Sequence, residues 1–209
     1  MNMEFCKEDW IGVWDNFESY LYSEEEMLVH TWEQVEEACK AVPALQAMFQ
    51  GGAKDFWKRA CRTQTEENPV MLGKIKVEGT EEGICILFLN SQEEIVGKCS
   101  YILLEKLEKG LEGKENLLFF AENVEEECPF RYLLAMNPMP NPATRKKDEV
   151  LSHFHFQFAS RKEKLITDGK LLQPGWYATM CEGESSEVEK CNVVRALHRM
   201  PVIEMGKIF

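Results

Sequence analysis

Two of the four histidines in this 209-residue chain stand two residues apart, in Ser152-His153-Phe154-His155-Phe156-Gln157-Phe158. Alternate side chains of an extended strand share a face. His153, His155 and Gln157 then point one way, and Phe154, Phe156 and Phe158 the other. The phenylalanine face calls for a dry partner. The polar face calls for water, hydrogen bonds or an ion, because buried imidazoles need partners. Two imidazoles at this spacing can ligate one metal ion. Zinc suits them best, since imidazole is among its preferred ligands and its geometry is undemanding. The plainer alternative is a pair of ordinary histidines, hydrogen-bonded or solvated, and His-x-His alone does not decide between them.

His198 follows Val194 by four residues and Cys191 by seven, so the three share one face of a helix. If that face docks on the rest of the chain, His198 points inward. The alternative is a histidine near a helix C-terminus, favoured there by the helix dipole. His30 lies two residues from both Leu28 and Trp32, which places it on the polar side of its helix. The eight cysteines form no C-x-x-C pair. The opening residues carry no basic stretch followed by an apolar one, so the expectation is a cytoplasmic protein with reduced, mostly buried thiols.

These residues must be positioned by two kinds of element. Residues 1–66 read as a helical segment. Ser23 and Glu26 have capping-box spacing ahead of Leu28, Trp32, Val35 and Cys39, and Pro43 ends the pattern. A second helix is expected over Ala53–Arg62. Residues 70–182 read as short strands separated by turn signals, without intervening helices, which predicts an antiparallel meander closed into a barrel. Its expected strands include Leu117–Ala121, Phe130–Met136, Leu151–Ala159 and Trp176–Cys181. The stretch Asn137–Pro142 reads as loop, because proline cannot donate to a ladder. Residues 184–200 hold a closing helix. The fold class is mainly β with flanking helices, in one domain.

A net charge of −12 repels phosphate backbones and anionic lipid, so neither nucleic acid nor a membrane surface is an expected partner. No apolar run is long enough to cross a bilayer as a helix. The sequence carries no Gly-x-Ser-x-Gly, no P-loop and no Gly-x-Gly-x-x-Gly, so no enzymatic activity is expected.

Several segments, taken in order, resemble the ZinT (YodA) family of zinc-binding, lipocalin-like barrels. Trp10-Ile11-Gly12-Val13-Trp14 with Phe17–Leu21 resembles the family's opening. Phe119–Glu122 and Arg131-Tyr132 resemble the strands before its H-F-H element, which Ser152–His155 matches. Trp176-Tyr177 and Val193–His198 resemble its closing region and late histidine. The resemblance implies a lipocalin-like barrel and a divalent metal ion, zinc, held by His153, His155 and His198 at one mouth of the barrel, with water as the fourth ligand. It also implies sequestration or delivery of the metal. One departure is plain. The family's further histidine falls at about Met136-Asn137-Pro138-Met139, where this chain has none. The competing expectation is therefore a barrel with a degenerate metal site that binds a small hydrophobic ligand or a protein.

Overall fold

A computed structural model describes residues 5–61, 70–108, 114–146, 149–168, 170–171 and 178–204. Eight strands close into one barrel: β1 (Gly12–Asn16), β2 (Lys74–Gly79), β3 (Gly83–Leu89), β4 (Ile95–Leu107), β5 (Asn116–Ala121), β6 (Tyr132–Ala135), β7 (His153–Ala159) and β10 (Thr179–Glu182). Each neighbouring pair is antiparallel, and β1 joins β10 to β2. A small hairpin, β8 (Ile166–Thr167) with β9 (Lys170–Leu171), lies outside that sheet.

The strand that completes the barrel, β1, comes from the 1–66 segment expected to be helical, and its Trp14 pairs with both Glu182 and Ile75. The physical reason is edge closure. Without β1, strands β10 and β2 would each expose a row of unpaired backbone groups. Its inward tryptophan adds a large apolar surface to the interior. Trp176 and Tyr177 lie outside the described residues.

Alternation fills the barrel with side chains. Phe154, Phe156 and Phe158 point inward and join Trp10, Trp14, Phe88, Phe119 and Phe130 in one cluster, each at most 2% exposed. Phe154 packs against Trp10 and Trp14 at ring distances of 4.9 and 5.0 Å. Burying each such ring contributes about 2–3 kcal/mol. This interior is a packed core, as expected of a small barrel.

Helices α1 (Glu18–Leu21), α2 (Glu26–Ala41), α3 (Pro43–Met48), α4 (Ala53–Ala60) and α5 (Glu187–Leu197) build a second core on the outside. It contains Leu28, Trp32 and Val35 of α2, Trp57 of α4 and Cys191 and Val194 of α5. Cys181 of β10 belongs to it too, as do Phe17 just after β1 and Leu151 just before β7. The expected capping box at Ser23 is not formed. Ser23 Oγ instead accepts from the Glu25 N–H, ahead of the helix, and the Met27 N–H donates to the Glu187 carboxylate of α5 at 2.7 Å. A tertiary partner has replaced the local cap. The true capping box is Ser186 with Glu189, at the start of α5. All eight cysteines are free thiols.

Candidate metal site

The inward turn of the phenylalanines sends His153 and His155 to the outer face of β7, where both are half-buried. Their rings lie 5.8 Å apart, centre to centre, at 70°. His153 Nδ1 is 3.1 Å from the Leu151 carbonyl oxygen. A carbonyl only accepts, so Nδ1 carries the proton, and in the neutral ring Nε2 holds the lone pair. Such a bond fixes the tautomer and orients the ring as metal-binding histidines require. His155 Nδ1 is 2.8 Å from Thr179 Oγ1, its cross-strand neighbour on β10. The hydroxyl can donate or accept, so this contact orients the ring without setting its tautomer.

His198 is elsewhere. It is 0% exposed, inside the helical core, with Phe49 at 4.8 Å, Trp32 at 5.6 Å and Trp57 at 6.1 Å between ring centres. Its Nδ1 donates to the Val194 carbonyl at 2.7 Å, and its Nε2 accepts the Trp57 indole N–H at 3.0 Å. Both ring nitrogens are thus engaged. Burial pushes its pKa down, partly opposed by the Val194 carbonyl and by Glu36, so the ring is held neutral. The expected convergence of His198 with His153 and His155 is not found, because its lone pair is already taken by Trp57. The mouth of the barrel is not the meeting point either, since the pair lies on the outer wall. His30 is exposed, as its helical position implied, beside Glu33 and Gln34.

Among the described residues no group of three or more His, Cys, Asp or Glu side chains comes together as a metal site. Cys181 sits opposite His153 in the β7–β10 register. It is fully buried in the helical core, and its thiol is pushed up to about 12, chiefly by that burial, with Asp15 adding to the effect. A buried neutral thiol of this kind is not a ready ligand. Sequence reasoning missed Thr179, whose role depends on strand pairing that no local motif encodes.

The site and the wall it stands on define a class: a closed eight-stranded antiparallel barrel with a helical layer on one outer side. That architecture is a ZinT-like fold. It is similar to the crystal structure of the Zn(II)-bound ZinT-like domain of AdcA from Streptococcus pneumoniae, with a TM-score of 0.52 over 94% of this chain and 91% of that one. Identity between the two is 17%, so the likeness establishes the fold alone. No protein-family model matches the chain, and no curated protein matches it in sequence.

Proposed function

We propose that this protein binds a transition-metal ion through His153 and His155 and serves to sequester or deliver it, without catalysis. The observation that carries this reading is the His153 ring. Its Nδ1 is pinned to the Leu151 carbonyl, its Nε2 has no hydrogen-bond partner among the described residues, and the second imidazole lies 5.8 Å away. Zinc(II) is the ion bound by the similar ZinT-like domain and is well matched to imidazole. The donor set fits it in part. Two imidazoles would hold the ion, and water would fill the remaining positions. A zinc site so built binds more weakly than the usual three- or four-ligand kind. The packed barrel interior gives the rival reading, a small hydrophobic ligand inside the barrel, no comparable support.

Calorimetry with zinc tests the reading. Wild type is expected to bind one equivalent, and His153→Ala and His155→Ala to bind much less. His198→Ala, if folded, should bind like wild type. Zinc binding unchanged in both strand variants would refute the site.

A further inference from the structure

The segment that extends β6 along β7 places two methionines opposite the histidines. Met136 donates its backbone N–H to the His155 carbonyl at 3.0 Å. Met139 and His153 exchange both backbone hydrogen bonds, at 2.8 and 3.0 Å, and form a β-bridge. Two residues, Asn137 and Pro138, separate the methionines, whereas only Phe154 separates the histidines. The extra residue is the signature of a β-bulge. It lets both methionines sit opposite a histidine. Residues directly opposite across an antiparallel pair point to the same face, with Cβ atoms about 4.5–5.5 Å apart. Met136 therefore stands beside His155, and Met139 beside His153.

Met136 is buried, at 2% exposure, and Met139 is half-buried. The segment that follows Met139 is also tied down. Arg145 bonds Glu182 of β10 at 2.9 Å and reaches Glu189 of α5 at 3.7 Å. The stretch expected to be loop thus holds Met139 in a bridge, while Met136, the last residue of an expected strand, stays in register.

We infer that Met136 and Met139 complete the His153/His155 site with thioether sulfur and turn it toward a soft monovalent ion, copper(I), in preference to zinc(II). This rests on the metal-binding reading above. Zinc takes thiolate, imidazole and carboxylate donors, and no third donor of those kinds joins the pair among the described residues. Thioether and imidazole together suit copper(I).

The test is competition for copper(I) against bicinchoninate, under anaerobic reducing conditions, with zinc titrated in parallel. The protein carries Cys6→Ser and Cys128→Ser, because those two cysteines are not buried and would bind copper themselves. Met136→Leu with Met139→Leu preserves volume. It should weaken copper(I) binding by more than tenfold, since removing a supporting group alone costs about 10–100-fold, and leave zinc within about twofold. Copper(I) binding that survives the double Leu variant but is lost in His153→Ala/His155→Ala overturns the thioether assignment and spares the metal-binding reading. Unchanged binding of both metals in the histidine variant overturns both. If the Leu variant fails to fold, silver(I) is added to the Cys-substituted parent labelled at the methionine methyls. Shifts at Met136 and Met139 support the assignment, and stationary signals refute it.

Discussion

The outer face of β7 and the interior of the helical layer each hold histidine, and they use it in opposite ways. His198 is enclosed by Trp32, Phe49 and Trp57, and both of its nitrogens are spent on protein partners. His153 is half-buried, with one nitrogen spent and the other carrying a lone pair. The lesson is that burial alone does not make an imidazole a ligand. What matters is how many of its nitrogens the fold has already used. A single bond at Nδ1 orients the ring for work at Nε2. A second bond at Nε2 converts the same ring into a structural pin between α4 and α5.

This contrast breaks first on stability. His198→Ala removes a buried ring together with its bonds to the Trp57 indole N–H and the Val194 carbonyl. It should cost about 3 kcal/mol in denaturant unfolding. His153→Ala should cost less than about 1 kcal/mol, because that ring is half-exposed and holds one bond. Equal costs would erase the distinction between the two regions.

On metal binding the ranking should invert. His153→Ala is expected to lower zinc affinity by about a hundredfold, equivalent to about 2.7 kcal/mol, while His198→Ala leaves it within about twofold. A zinc-induced rise in unfolding midpoint, which scales with the ratio of ion to Kd, checks both variants in one experiment. A midpoint shift that vanishes in His198→Ala and persists in His153→Ala would place the ion in the helical layer.

Much of the β7 side of this comparison was legible in the sequence. The two-residue alternation of histidine and phenylalanine sorts seven residues onto two faces, and the packed interior takes the phenylalanine side. The strand run from β2 to β7 was legible from the turn signals that separate its members. Periodicity did not reveal partners far away in the chain. Helical spacing turned His198 toward a core, but Trp57, 141 residues earlier, takes its lone pair. Strand β1 was hidden because its five residues, Gly-Val-Trp-Asp-Asn, are too few and too mixed to show alternation, and barrel closure is a property of the whole sheet. Met139 was hidden by the prolines around it, which correctly spoke against a regular strand but not against a single bridge.

A third prediction sharpens the site itself. Thr179→Val keeps the shape of the β10 side chain and deletes the hydroxyl 2.8 Å from His155 Nδ1. The ring keeps its donor atoms but loses that contact, so zinc affinity should fall by about tenfold. Unfolding free energy should change by about 1 kcal/mol. A fall in stability with no loss of affinity would assign Thr179 to packing alone.

The smallest effect is one of pH, and it separates the regions by charge. Burial lowers the His198 pKa from its ordinary 6.5, while the Val194 carbonyl and Glu36 push it back, so the net shift is a balance of opposed effects. Protonation would also put a second N–H at Nε2, directly facing the donor of Trp57. The unfolded chain takes up its proton near 6.5, and the folded chain only below that. As pH falls past 6.5 the unfolded state therefore binds more protons, and stability is lost. The contribution of His198 is fully present above 6.5 and disappears as pH drops through the lowered folded value. Unfolding free energies of wild type and His198→Gln, measured from about pH 8 to about pH 5, should draw together on the acid side. Carboxylates that titrate at the lower end affect both proteins alike and cancel in the difference. A gap that widens in acid would mean that the buried ring is charged, and its hydrogen bond from Trp57 would then have to be reassigned.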